Sequence, residues 1–223
     1  MAISPVPFII LGVIGIGIYS WYRDRKRREA LLVWVHSKGW RLQSGKLGRL
    51  NHEYPSLKFF DKGHSRKAKN VITGEYEGCP VRLMDYQYTT GSGKNRSTHS
   101  VGVVIMQTGF PVIPLTIRRE NPLDKVGEFF GADDIDFESA EFSRKFYVKS
   151  SDRKWAYDVI HQRAMDYLLA APSYNIAFGS FELAVTKNGN FGPAGYEEAL
   201  ALAKGLYDLI PDYVVQQMKG GAR

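Results

Sequence analysis

The chain has 223 residues, of which 44% are hydrophobic and 24% charged, with one cysteine and a formal net charge of +7. A single thiol excludes an internal disulfide and any cysteine-based zinc site, and suits a reducing cytoplasm. The basic balance does not argue for nucleic-acid binding once it is located: Arg23 to Arg49 holds nine Lys or Arg against two Asp or Glu, whereas residues 50–223 hold 21 of each sign.

Pro5 to Tyr22 (PVPFIILGVIGIGIYSWY) contains no charged side chain. As a helix, these 18 residues span roughly 27 Å, close to the ~30 Å hydrocarbon core of a bilayer. Tyr19, Trp21 and Tyr22 stand where an interfacial aromatic belt belongs, and RDRKRR follows at once. A cleaved signal peptide would need a basic stretch before the apolar run, and a surface-lying helix would need a polar face; the segment has neither. Gly12, Gly15 and Gly17 do not form a G-x-x-x-G pairing motif. Residues 1–22 therefore read as a single-pass plasma-membrane anchor, with its N-terminus outside and everything after Tyr22 in the cytoplasm.

Residues 23–49 read as a basic juxtamembrane helix and linker. Arg23, Arg25, Lys26, Arg27 and Arg28 are expected to contact anionic lipid headgroups, each cation contributing on the order of 1 kcal/mol. Ala30, Leu31, Trp34 and Val35 form one stripe of this helix, and Gly39 is placed to end it.

Residues 50–217 are expected to form one cytoplasmic α+β domain, a mainly antiparallel sheet of five to seven strands packed against two C-terminal helices. Residues 44–69 look like loop, with the polar stretch Asp61–Lys69 mobile. Val71–Tyr76, Val81–Thr89, His99–Thr108 and Val112–Arg118 are β-branched and aromatic runs bounded by turn residues, and their short connections predict a meander. Val101–Met106 is nearly all apolar, as a strand buried on both faces would be. Asn121–Phe142 reads as an acidic connection with one short helix, and Lys145–Lys149 as a further strand. A helix over Asp152–Ala171 follows, then a hairpin from Ile176–Phe178 to Phe181–Thr186. A last helix covers Pro193–Ile210, and residues 218–223 read as a disordered tail.

Most motif readings fail on spacing. Gly91-Ser92-Gly93-Lys94 resembles a phosphate loop, but Tyr88 stands where the first glycine belongs and Asn95 where magnesium needs a hydroxyl. Asp134-x-Asp136-x-Glu138 starts like a calcium loop, but Ser139 replaces its glycine and Lys145 its closing glutamate. The five histidines never pair at metal-binding spacing. Cys79 sits in Glu77-Gly78-Cys79-Pro80, a turn between two strands. One polar cluster can be assembled from the expected hairpins: Asp85, Tyr88 and His99.

Three stretches carry a resemblance. They are Asn70–Gly78 leading to Asp85-Tyr86-Gln87-Tyr88-Thr89-Thr90; Phe142-x-x-x-Phe146-x-Val148-x-Ser150-x-Asp152-x-x-x-Ala156-Tyr157; and Ile210-Pro211-Asp212-Tyr213. On them the chain resembles an actinobacterial family of membrane-anchored proteins built around a domain of unknown function. It departs from that pattern after Tyr157, where Ile160-His161-Gln162 stands in place of Leu-x-Pro. The resemblance implies an anchored domain and transfers no catalytic residue.

The sequence thus predicts an interaction or scaffold domain at the inner face of the membrane, with the lipid bilayer and a protein as partners. Neither cofactor, metal nor nucleic acid is expected. The alternative is a membrane-associated enzyme centred on Asp85, Tyr88 and His99.

Overall fold

Strand-forming runs from both halves of the chain join in one antiparallel sheet. The computed structural model describes residues 6–43, 45–120 and 135–221, with side chains from residue 15 onward. Among these residues eight strands form: β1 (Arg41–Gln43), β2 (His64–Tyr76), β3 (Cys79–Thr90), β4 (Ser97–Gln107), β5 (Leu115–Arg119), β6 (Phe146–Ser150), β7 (Asn175–Phe178) and β8 (Glu182–Asn188). Their spatial order is β1-β2-β3-β4-β8-β7-β5-β6. The helices are α1 (Val6–Ser37), α2 (Leu50–Glu53), α3 (Ala140–Lys145), α4 (Arg153–Val159), α5 (Gln162–Ala170), α6 (Pro193–Asp208) and α7 (Asp212–Gly220).

The β2–β3 hairpin closes over Glu77 and Gly78, both at positive φ (48° and 80°). A two-residue turn of that hand matches the twist of the flanking strands. Cys79 is consequently the first residue of β3, paired with Tyr76, rather than a turn residue. Its thiol is buried, and that burial raises its pKa.

β4 is the central strand. Val104 and Met106 pack on one face while Val103 and Ile105 pack on the other, and all four are fully buried. This follows from the period-two alternation of a strand with an apolar layer on each side. One layer is formed by α1 and α4–α7; the other by Leu50, Tyr54, Leu57 and Phe60.

The structure corrects four expectations. First, His64–Lys69 is not a mobile loop but the first half of β2, paired with β3 from His64↔Thr89 to Lys69↔Asp85. β1 covers only Val71–Thr73, and before it Leu47 bridges Ala68 through two backbone hydrogen bonds; charged side chains blunt the rest of that edge. Second, the meander stops at β4. The next strand begins at Leu115 rather than Val112, and the β7–β8 hairpin inserts between β4 and β5. The Thr108 and Val112 amides donate instead to the Phe181 and Ser180 carbonyls, which carries the chain across that hairpin. Third, the helix expected over Asp152–Ala171 is two helices, α4 and α5, whereas the one expected over Pro193–Ile210 forms as α6 and is followed by a further helix, α7. His161 breaks the first, its Nε2 lying 2.9 Å from the Leu209 carbonyl, and Ile160 turns into the core. Pro211 divides the second from α7. Fourth, α7 runs to Gly220, into the segment expected as a disordered tail.

α1 is unbroken over 32 residues, about 48 Å of helix. No helix among the described residues is long and apolar enough to cross a membrane. Most of the apolar run Pro5–Tyr22 lies outside the residues whose side chains are described.

Candidate functional site at the junction of helix and sheet

The C-terminal half of α1 packs into the domain through Arg27, Leu31, Trp34 and Val35. Spacings of three and four residues set these side chains on one helical face. Leu31 is fully buried and Val35 is 3% exposed. Ala30, expected on this stripe, is exposed. The Trp34 ring stacks on Tyr196 of α6, with centroids 5.9 Å apart and planes 6° from parallel. Its Nε1 donates to Glu197 Oε1 at 2.8 Å, and Lys38 Nζ reaches the same oxygen at 2.8 Å. Burial opposes the Glu197 charge, but these two donors prevail and hold its carboxyl below the usual range.

Arg27 makes the deepest polar contact. Its two terminal nitrogens grip Asp85 of β3, Nη2 at 2.8 Å from Oδ2 and Nη1 at 3.2 Å from Oδ1. Nη1 also donates to the Phe191 carbonyl at 3.0 Å. Asp85 further accepts from Asn70 Nδ2 at 2.8 Å and from the Tyr196 hydroxyl at 3.3 Å. The Arg27 and Asp85 side chains are 18% and 7% exposed, so the pair is largely desolvated and depends on this full set of donors. Burial, reinforced by the Asp85 charge, pushes the Tyr196 phenol well above its ordinary range.

Two backbone features hold the network. Asn70 lies at φ 49° within the irregular register between Lys69 and Ile72, which turns its amide onto Asp85. Gly102 pairs with Asp85 across β3 and β4. A Cβ at Gly102 would fall within 2.4 Å of the Phe191 ring, displacing the residue whose carbonyl holds Arg27.

The expected cluster divides between the two faces of the sheet. Tyr88 and His99 are register partners and their rings stack at 4.9 Å. His99 Nε2 lies 2.8 Å from Thr90 Oγ1. Asp85 is three residues from Tyr88, so it points to the opposite face, where Arg27, Asn70 and Tyr196 occupy it. Tyr88 instead lines a cavity of about 290 Å³ with Phe59, Tyr86, Asn175 and Thr186.

Of the five cations expected against lipid, Arg23, Arg25, Lys26 and Arg28 are exposed. Arg25 pairs with Glu29 and lies over Trp21, and Lys26 lies over Tyr22. Arg27 departs from them by turning inward onto Asp85. Gly93–Asn95 is a single 3₁₀ turn at an exposed hairpin tip. Among the described residues no group of three His, Cys, Asp or Glu could hold a metal ion; Asp134 lies outside the described residues.

Sequence reasoning missed Asn70 and Tyr196 as partners of Asp85. One signal was available, since strand parity alone separates Asp85 from Tyr88.

The fold has a counterpart among solved structures. The crystal structure of the mycobacterial trehalose monomycolate transport factor A, TtfA, superposes with a TM-score of 0.61 at 15% identity, covering 83% of this chain and 94% of that one. The two share an α+β fold. No protein-family model and no curated protein matches the sequence.

Proposed function

We propose that this chain is a single-pass membrane-tethered interaction domain that serves lipid handling by engaging a protein partner rather than by catalysis. One observation carries the reading: α1 is a single unbroken helix with two different surroundings. Its C-terminal half is clamped into the domain by Arg27, Leu31, Trp34 and Val35. Upstream of it, residues 15–22 expose apolar side chains, with Ile16 at 71%, Ile18 at 62% and Trp21 at 62%. A helix apolar around its circumference requires a covering medium, and a bilayer is the cover that the following cations suit. With the N-terminus outside, the domain then lies against the inner leaflet of the plasma membrane. The shared fold with a transport factor for trehalose monomycolate supports a role in lipid transport. The enzyme alternative loses support, because Asp85 does not share a face with Tyr88 and His99.

Alkaline carbonate extraction of membranes from expressing cells tests the tether. The wild-type chain stays in the pellet, and Ile16→Asp/Ile18→Asp moves to the supernatant, since acidic residues in a spanning helix cost roughly 2.5–3.5 kcal/mol each at its centre. A wild-type chain released by carbonate would overturn the tether. Crosslinking in intact cells tests the partner: capture of the bait alone would remove the interaction role.

A further inference from the structure

Two cavities adjoin where the basic end of α1 meets the sheet. The first, about 250 Å³, is floored by Arg27, Asn70 and Asp85 and walled by Arg28, Lys69 and, on its far side from the second cavity, the carboxylate of Asp24. The second, about 210 Å³, shares Arg28, Lys69 and Asn70 with the first and adds Leu42, Gln43 and Lys46. Three separate chain segments therefore bring Arg28, Lys46 and Lys69 to one concavity. No carboxylate lines the second cavity among the described residues, and none of these three cations makes an ion pair or side-chain hydrogen bond there. Some surface cations elsewhere are answered by acids, as in Arg25–Glu29, Lys145–Glu141, Lys154–Asp158 and Lys204–Asp208. In the floor, the Arg27 Nε hydrogen is buried without an acceptor. Asn70 holds its left-handed conformation at the meeting point of both cavities.

We infer that this concavity is a binding site for a phosphate group, with Arg28, Lys46 and Lys69 as its ligands and a phospholipid headgroup as its source. Lysine ammonium groups and a guanidinium converging from different elements supply charge-assisted donors to phosphate oxygens. Depth favours the lipid source, and on this point the inference rests on the membrane tether. Arg28 lies six residues beyond Tyr22, about 9 Å along the helix. The headgroup region extends about 5–8 Å beyond each side of the hydrocarbon core. An anchor ending at Tyr22 thus sets the site at the outer margin of the headgroups, where an anionic lipid can rise into it.

The test uses the full chain purified in dodecyl maltoside and titrated by native mass spectrometry with dioleoylphosphatidylglycerol, dioleoylphosphatidylcholine or inorganic phosphate. Lys46 and Lys69 are exposed, so Lys46→Gln/Lys69→Gln leaves the fold intact, which an unchanged unfolding midpoint verifies. Phosphatidylglycerol affinity falls by more than about tenfold in this double variant, from roughly fivefold per lysine. In the comparison variant Lys94→Gln/Lys154→Gln, at exposed positions outside the concavity, it stays within about threefold. Unchanged affinity in Lys46→Gln/Lys69→Gln would overturn the site. Inorganic phosphate that binds as tightly and is lost in the same variant supports the phosphate chemistry but assigns a soluble anion as its source. Carbonate extraction reads the tether separately, so a released chain that still binds phosphate through Lys46 and Lys69 keeps the site and removes only the lipid source.

Discussion

The two halves of α1 share one backbone and differ in everything that surrounds it. Residues 27–35 insert a charged side chain, an indole and two aliphatic groups into a domain that satisfies nearly every polar atom they bring. Residues 15–22 leave their apolar and aromatic side chains exposed, met among the described residues by Arg25 over Trp21 and Lys26 over Tyr22. A helix gains most of its stability from the face it packs, so residues 27–35 depend on the domain, whereas residues 15–22 find no such face among the described residues. The Arg27–Asp85 pair stands close to the border between them. It ties α1 to strand β3 of the sheet.

Substitutions that break the buried half have the largest expected effects. Asp85→Ala leaves Arg27 buried without its counter-charge and orphans the Asn70 amide and the Tyr196 hydroxyl. Denaturant unfolding should show a loss of about 3–5 kcal/mol. Leu31→Ala opens a cavity between α1 and the sheet and should cost about 2–4 kcal/mol by the same measurement, with no change in membrane retention.

An alkaline titration sharpens the comparison next, because the phenol of Tyr196 belongs to the interface of the buried half. Burial raises Tyr196, and raises Tyr54 and Tyr86 to about 12. For each group the folded pKa lies above the unfolded value near 10, so its stability is fully present below pH 10. The unfolded chain releases these protons first, and stability falls as the pH rises from about 10 through 12. Tyr196→Phe should flatten this slope, read from unfolding midpoints across that range. The smallest expected effect is in the exposed half. Ile16→Asp should leave the stability of the domain within about 0.5 kcal/mol of wild type, because it removes no packed neighbour.

The same contrast explains what the sequence disclosed. Local signals were legible: the Glu77-Gly78 turn, the doubly buried Val101–Met106 strand and the Leu31/Trp34/Val35 stripe are each set by neighbours a few residues apart. Long-range choices were not. Nothing local says that β8 rather than β5 pairs with β4, since two apolar strands compete for one edge and only the full packing decides. His161 breaks a helix through a bond to Leu209, 48 residues away. Arg27 looked like one more cation in a basic run; its inward turn depends on an aspartate 58 residues later. The phosphate site was hidden for the same reason, as its cations are dispersed along the sequence and meet only in the fold.

The most direct test of the two-sided helix is thiol accessibility in intact cells. With Cys79 replaced by Ser, single cysteines at Ser4 and at the exposed hairpin residue Ser92 would each be treated with a membrane-impermeant thiol reagent. Labelling at position 4 and protection at position 92 is the predicted result, with α1 crossing the bilayer and the domain inside. Labelling at position 92 in unbroken cells would contradict it.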